Sequence, residues 1–294
     1  ASRFSTDKND FCIITTNFFP VSNLTGVDFA DLIVSQTFHR AFRQIETYKQ
    51  QIPSLFTYNA LVVISDGLEA RAGSLSAGFS RFAAWKSDDG ENLASHRVSE
   101  LEVLVNGMMR KDTLLDLVQS FTVFEKQKQE DLKTGLTTIK TVKKIAAYHQ
   151  YYAVNKAIDS TLRASGLNKG IAESPANFGF KTVQEQQPGD HRAGVVWHTQ
   201  GSGKSYSMLF LAQKIRRKFE GSPTFVVLTD RDELNKQISD TFENCGLLGG
   251  VKASKYIAQS GDDLIGKLKS NPSFIFTLIQ KFNKRDVEPI IPNY

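Results

Sequence analysis

Six consecutive residues in the last third of the chain have the types and the spacing that bind phosphate. They are Gln200, Gly201, Ser202, Gly203, Lys204 and Ser205. Successive backbone N–H groups around two glycines form a concave anion site, and a helix that begins near Lys204 adds the positive end of its dipole. The Lys204 ammonium would reach the β- and γ-phosphates of a nucleotide, and the Ser205 hydroxyl would hold Mg²⁺. These residues therefore predict ATP and Mg²⁺ as cofactors.

The elements on both sides of this loop are expected to hold it in place. The apolar run over residues 193–197 predicts a strand, and residues 204–219 predict a helix. The strict pattern G-x-x-x-x-G-K-[ST] is not met, because His198 stands where its first glycine belongs. The shorter form G-x-G-K-[ST] after a strand resembles the phosphate loop of superfamily 2 helicases. The alternative is a glycine turn with an incidental lysine, which the order strand, turn and helix disfavours.

The rest of the last third alternates between strand and helix patterns. We predict strands over residues 224–229 and 274–277, and helices over residues 232–242 and 262–269, the second of them capped by Ser260. Such alternation indicates βαβ units and a parallel sheet. The polar end of either strand is a candidate contact to a nucleic-acid backbone, with plain turns as the alternative.

The first third of the chain predicts another region of mixed strands and helices. Apolar runs predict three strands, over residues 11–16, 31–34 and 61–65. Residues 37–51 predict a helix that ends before Pro53. Gln44 and Tyr48 are four residues apart on this helix, so we expect their side chains to meet on one face.

The middle of the chain separates these two regions. A helical pattern begins at Ser99, a short strand is predicted over residues 121–124, and the charged run over residues 125–133 marks a domain boundary. One long helix is predicted over residues 137–162, followed by a loop over residues 164–192. The predicted domain limits are residues 1–131, 132–192 and 193–294.

Taken together, these motifs make the chain similar to the restriction (R) subunit of type I restriction–modification enzymes. The resemblance covers most of the chain and rests on Q-x-x-x-Y at Gln44 and Tyr48, the strand LVVISDG, the helix YHQYYAVNKAI and the phosphate loop. It implies an α/β fold in which a PD-(D/E)xK-type nuclease domain precedes a helical connector. A RecA-like P-loop domain with a parallel sheet would follow, as the first lobe of a superfamily 2 helicase-like motor.

The resemblance also implies a role for particular residues. Asp31 matches the metal-binding aspartate of the family, and Gln44 and Tyr48 match the pair that orients the scissile DNA. Lys204 and Ser205 match the nucleotide site, so that Asp31 and Ser205 are the candidate Mg²⁺ ligands. The implied activity is ATP-dependent translocation of double-stranded DNA coupled to its cleavage. The implied setting is the cytoplasm, in a complex with methyltransferase and specificity subunits.

Two motifs that the resemblance leads us to expect are missing from the sequence. The family needs E-x-K on the strand after the metal-binding aspartate, and no E-x-K lies between Asp31 and Gln44. A motor also needs a Walker B Asp-Glu pair, and none follows Thr277. We therefore expect an N-terminal fragment that is inactive by itself. The alternative is a P-loop ATPase domain unrelated to restriction, with a non-catalytic front domain that binds partners.

Composition and charge further restrict the classes of protein to which the chain can belong. The chain has 294 residues, of which 40% are hydrophobic and 23% charged, and no run approaches the roughly 20 apolar residues that span a bilayer. Two distant cysteines and five scattered histidines make neither a disulfide framework nor a zinc pattern. The net charge of +5, with the basic excess behind residue 100, permits contact with nucleic acid. Composition therefore predicts a soluble globular protein with no membrane partner.

Overall fold

The computed structural model of the protein describes residues 12–17, 38–130, 135–166, 187–219 and 221–282. The chain divides into two compact units. The first unit comprises residues 1–123 and 142–194, and the second comprises residues 124–141 and 195–294.

A three-stranded antiparallel sheet forms the centre of the first unit. Its strands lie in the order β1 (Cys12–Asn17), β2 (Asn59–Ser65) and β3 (Ala70–Gly73). Every residue of β2 is buried, as its run of apolar residues predicts. The strands predicted over residues 11–16 and 61–65 are confirmed, and the strand predicted over residues 31–34 lies outside the described residues.

A helix near the start of the described chain packs on this sheet. The helix α1 (Phe38–Gln51) buries Ala41 and Ile45, which lie four residues apart and join buried residues of β2 in one apolar cluster. A short 3₁₀ helix, Pro53–Phe56, follows, because a proline has no N–H to continue the α-helical bonding. The helix predicted over residues 37–51 is therefore confirmed.

The described part of the first unit has three more α-helices: α2 (Glu100–Gly107), α3 (Lys111–Ser120) and α4 (Tyr148–Ser165). The side chain of Ser99 caps α2 by accepting a hydrogen bond from the Glu102 N–H. The ring of Trp85 lies 5.7 Å from that of Tyr151 and 5.8 Å from that of Tyr152, between ring centroids. Burial raises the pKa of both tyrosine hydroxyls, that of Tyr152 to about 12, so both stay protonated at neutral pH.

Arg163 near the end of α4 holds the segment that leads towards the phosphate loop. Its buried guanidinium places Nη1 2.8 Å from an Asp190 carboxylate oxygen and 2.8 Å from the Gln187 carbonyl oxygen. Nη2 donates to the Arg192 carbonyl. A backbone hydrogen bond from Arg192 and the nearby guanidinium lower the pKa of Asp190, so this carboxylate is ionised at neutral pH.

The structure corrects the helix that was predicted over residues 137–162. Its first part is the strand β5 (Thr137–Ile145), which pairs with β4 (Thr122–Glu130) in a two-stranded sheet, and α4 begins after β5. The sequence TTIKTVKKI is rich in β-branched residues, which lose side-chain freedom in a helix and favour strands. The strand predicted over residues 121–124 is confirmed and is longer than predicted, because β4 continues to Glu130. Residues 125–130 of the charged run that was predicted to mark a domain boundary therefore belong to this strand.

A parallel strand pair forms the centre of the second unit. The strands of this pair are β6 (Phe225–Thr229) and β7 (Phe274–Leu278). The α-helices in the described part of the unit are α5 (Lys204–Lys218), α6 (Asp232–Asn244) and α7 (Gly261–Lys269). The side chain of Ser260 caps α7 by accepting from the Asp263 N–H. These bounds confirm the predicted alternation and the parallel sheet. Among the described residues, no helix is both long enough and apolar enough to cross a membrane.

The two parallel strands differ in depth. Phe276 of β7 has no exposed surface, whereas Leu228 of β6 is 50% exposed. On the side of β7 away from β6, the Phe276 N–H donates to the Tyr256 carbonyl and the Ala258 N–H donates to the Phe276 carbonyl. In the described part of the second unit β7 is therefore the central strand and β6 lies at an edge.

The strand predicted over residues 193–197 is wrong. These residues have no strand conformation, and the exposed fractions of Val195 and Trp197 are 92% and 89%. A strand needs a neighbour for its backbone hydrogen bonds, and no strand in the described part of the chain pairs with this segment. The apolar composition predicted an extended conformation but contains no information about a partner.

We expect the difference in depth between β6 and β7 to be measurable as stability. Phe276→Ala should lower the free energy of unfolding of the second unit by about 3–5 kcal/mol, because it removes a buried ring and leaves a cavity. The control Leu228→Ala, on the edge strand, should cost less than about 1 kcal/mol. Denaturant unfolding followed by circular dichroism measures both values. Equal losses in the two variants would contradict the central position of β7.

Candidate functional site

The loop ahead of α5 has the backbone conformation of an anion site. Gly201 and Gly203 have φ angles of +79° and +81°, in the left-handed region that favours glycine. Gly203 is the N-cap of α5, and the helix begins at Lys204, as the sequence predicts. No side chain caps this helix, and no acidic residue lies in its first turn. The positive end of the helix dipole therefore faces the loop, with neither a capping side chain nor an acidic residue of the helix's own first turn beside it.

Lys204 is anchored within the same loop. Its Nζ donates to the carbonyl oxygens of His198 and Thr199, each at 2.9 Å. The Ser202 N–H donates to the Thr199 carbonyl at 3.3 Å, which closes the turn. The loop residues that the sequence singled out are thus held in one compact turn, with a lysine ammonium and glycine backbone at the start of a helix. This arrangement fits a phosphate group.

Buried residues of α5 fix the loop from the other side. Leu209, Phe210 and Ala212 are at most 3% exposed, so the helix is anchored in the interior of the second unit. The last turn carries Arg216, Arg217 and Lys218, whose charge complements the negative end of the helix dipole. The phosphate loop therefore begins a helix that is anchored along its length.

Sequence reasoning missed one contact at this loop. The hydroxyl of Tyr206, in the first turn of α5, donates to the Glu125 carboxylate of β4 at 2.5 Å. Glu125 belongs to a charged run that looks solvated in the sequence, yet it is 7% exposed. The only available signal was the alternation of β4, in which Val123 and Glu125 occupy the same face.

The polar ends of β6 and β7 lie next to each other, as expected for parallel strands. The Gln280 side chain, two residues after the end of β7, donates from Nε2 to the Asp230 carbonyl, directly after β6, at 3.1 Å. The Lys281 Nζ donates to the Ala258 carbonyl. The predicted contact of these ends with a nucleic-acid backbone stays a prediction.

In the first unit, the structure brings the predicted pair of α1 together. Gln44 Nε2 donates to the Tyr48 hydroxyl at 2.8 Å, which confirms that the two side chains meet on one helix face. Both side chains are half-buried, and the Tyr48 ring packs against the apolar cluster of the sheet. One turn of α1 thus presents an amide and a phenol side by side.

A charged pair, Glu46 and Lys49, lies on a different side of α1. Lys49 Nζ is 2.5 Å from a Glu46 carboxylate oxygen and also donates to the Leu75 carbonyl. Asp31, the predicted metal ligand, lies outside the described residues. Among the residues that the structure does describe, no three His, Cys, Asp or Glu side chains are grouped so that they could hold a metal ion. The metal site predicted at Asp31 therefore stays a prediction.

Comparison with protein-family models finds two matches, one in each half of the chain. Residues 31–81, which include α1, match the model described as the type I restriction enzyme R protein N terminus. Residues 149–293, which include the phosphate loop and the parallel sheet, match the model described as an SWI2/SNF2 ATPase. The second match supports a helicase-like motor for the second unit.

Curated relatives match along most of the chain. The type I restriction enzyme HindI endonuclease subunit of Haemophilus influenzae is 42% identical over 258 residues, which is 86% of this chain. A putative type I restriction enzyme MjaIXP endonuclease subunit of Methanocaldococcus jannaschii is 30% identical over 276 residues, or 88% of the chain. The chain spans 22% and 23% of the length of these two relatives. On these matches, the chain belongs to the family of type I restriction enzyme R (endonuclease) subunits.

Proposed function

We propose that this chain contributes the nuclease region and the first motor lobe of a type I restriction endonuclease subunit. That subunit would couple ATP-dependent translocation of double-stranded DNA to DNA cleavage. The observation that carries the proposal is the phosphate loop, in which the left-handed Gly203 and the anchored Lys204 begin a helix with no capping side chain. Its position in a chain of the R-subunit family supports the nucleotide as ATP.

In this proposal, different groups of the loop bind different parts of the nucleotide. Backbone N–H groups from Gln200 to Gly203 and the start of α5 surround the phosphates. The Lys204 ammonium neutralises the β- and γ-phosphate oxygens, and the Ser205 hydroxyl is a ligand for Mg²⁺. When bound, ATP and Mg²⁺ supply the energy of phosphoryl transfer that drives movement along DNA.

For the first unit we propose a nuclease of the PD-(D/E)xK type. Asp31 is its proposed Mg²⁺ ligand, and the hydrogen-bonded Gln44 and Tyr48 position the scissile DNA strand. The match of residues 31–81 to the R protein N terminus supports this assignment, because it begins at Asp31 and includes the pair. The E-x-K motif is not present between Asp31 and Gln44, so the remaining groups of the metal site must come from elsewhere.

The proposal extends to domains, partners and location. The proposed nuclease-like domain is residues 1–131, the connector is residues 132–192, and the motor lobe is residues 193–294. Methyltransferase and specificity subunits are the proposed protein partners, double-stranded DNA is the substrate, and the cytoplasm is the location. An ATPase unrelated to restriction is disfavoured by the R-protein match in the front half of the chain.

We expect Lys204→Ala to weaken ATP binding by at least about tenfold. The substitution removes the ammonium that we propose binds the phosphates, and a charge-assisted hydrogen bond contributes about 1.5–3 kcal/mol. A fluorescent ATP analogue titrated into the whole chain in the presence of Mg²⁺ measures the dissociation constant. The control Lys255→Ala removes an exposed lysine of the second unit and should leave the affinity unchanged. Equal affinity in the Lys204 and Lys255 variants would refute the nucleotide site.

We expect Asp31→Ala to abolish DNA cleavage in the full enzyme, assembled with its partner subunits, while ATP-driven translocation continues. One carboxylate fewer leaves the nuclease metal underliganded, whereas the motor is a separate domain. Tyr48→Ala should slow cleavage, also without stopping translocation. Cleavage of a plasmid and displacement of a triplex-forming strand measure the two activities.

The matched control for these variants is Gln50→Ala, because Gln50 is an exposed amide on the same helix as Tyr48. It should leave both activities at the level of the unaltered enzyme. Normal cleavage by Asp31→Ala would move the metal site to other residues, and loss of translocation in Tyr48→Ala would contradict a role confined to the nuclease.

A further inference from the structure

A buried carboxylate of the second unit lies against the phosphate-binding helix. Glu125 of β4 is 7% exposed, and its Oε1 accepts a hydrogen bond of 2.5 Å from the Tyr206 hydroxyl in the first turn of α5. Its Oε2 accepts from the Gln127 side-chain amide, two residues along the strand. Both carboxylate oxygens are therefore engaged by neutral donors.

The position of Glu125 in β4 makes this contact specific. The side chains of a strand alternate between its faces, so Phe124 and Lys126 are exposed while Val123 and Glu125 point inward. An inward-facing carboxylate costs free energy unless donors compensate for the lost water. The tyrosine hydroxyl is such a donor.

Tyr206 is tied to the phosphate loop through its own backbone. It directly follows Lys204 and Ser205, and its N–H donates to the Gly203 carbonyl at 2.9 Å. The residue is thus held at two points, by Gly203 through the main chain and by Glu125 through the hydroxyl. Holding both points fixes the rotation of the first turn, which carries the ammonium of Lys204 and the hydroxyl of Ser205.

We propose that Glu125 and Tyr206 are positioning residues of the nucleotide site, through which β4 sets the orientation of the first turn of α5. The inference rests on the proposed binding of ATP at this loop and assigns to that site two residues outside the phosphate-loop motif. Neither residue touches the nucleotide. They restrain the first turn of α5 before a nucleotide binds, so that Lys204 and Ser205 lose less conformational entropy on binding.

The test is a double-mutant cycle on nucleotide affinity in the whole chain. The variants are Tyr206→Phe, Glu125→Gln, Glu125→Ala and the double variant Tyr206→Phe with Glu125→Ala. A fluorescent ATP analogue in the presence of Mg²⁺ reports the dissociation constant, and circular dichroism establishes that each variant is folded at the temperature used. The control variants are Tyr256→Phe and Glu130→Gln, which remove a hydroxyl and a carboxylate elsewhere in the second unit.

We expect Tyr206→Phe and Glu125→Ala each to weaken binding by about tenfold, because each breaks the hydrogen bond between Tyr206 and Glu125 and so releases the first turn of α5. The double variant should bind no more weakly than either single variant, because both substitutions break the same contact. Glu125→Gln keeps an acceptor for the hydroxyl and should recover most of the affinity. The two control variants should bind as the unaltered chain does.

Three outcomes would overturn the inference in distinguishable ways. If Tyr206→Phe binds as tightly as the unaltered chain while Lys204→Ala does not bind, the nucleotide site stands and the positioning role is refuted. If the unaltered chain itself does not bind the analogue, both the proposed function and the inference fail. Losses in affinity that add in the double variant would refute the shared contact, and if Glu125→Ala does not fold, Tyr206→Phe and Glu125→Gln decide the result.

Discussion

The burial of one central strand in each unit is the constraint on which the rest of the structure depends. A buried strand must provide a partner for every backbone N–H and C=O group. For β2 the partners are β1 and β3, and for β7 they are β6 and the segment around Ala258. In the first unit α1 then covers apolar side chains of β2, so the position of the helix, and with it that of Gln44 and Tyr48, follows from the burial of the strand.

The two candidate sites differ in the groups that form them: backbone groups in one and side chains in the other. The phosphate loop uses backbone groups of adjacent residues, with Gly203 in the left-handed conformation and Lys204 as the one charged side chain. Gln44 and Tyr48 form a pair of side chains on one helix face. The proposed nuclease site also needs Asp31 as its Mg²⁺ ligand, and Asp31 lies outside this helix. A backbone site is complete once one turn folds, whereas a side-chain site depends on distant elements meeting.

This difference explains how much of the structure could be predicted from the sequence. The start of α5 at Lys204 and the contact of Gln44 with Tyr48 depend on neighbours within four residues, so spacing alone predicted both. The strand over residues 193–197 was predicted wrongly, because apolar composition carries no information about a pairing partner. The same holds for Glu125, whose hydrogen-bond partner is 81 residues away, in an element that its local sequence cannot indicate. The helix predicted over residues 137–162 is wrong for another reason: the apolar spacing of its first part suits a helix, but its β-branched residues favour a strand.

The anchoring of Lys204 has a stereochemical consequence. An ammonium has three hydrogens directed towards the corners of a tetrahedron, and two of them are directed at the carbonyl oxygens of His198 and Thr199. The direction of the third is then fixed by the first two, and this is the hydrogen that would meet a phosphate oxygen of the proposed nucleotide. A guanidinium has all its donors in one plane, so it cannot satisfy two carbonyls and a third acceptor outside that plane. The two carbonyls and a third acceptor outside their plane would therefore suit an ammonium better than a guanidinium, although the two groups carry the same charge.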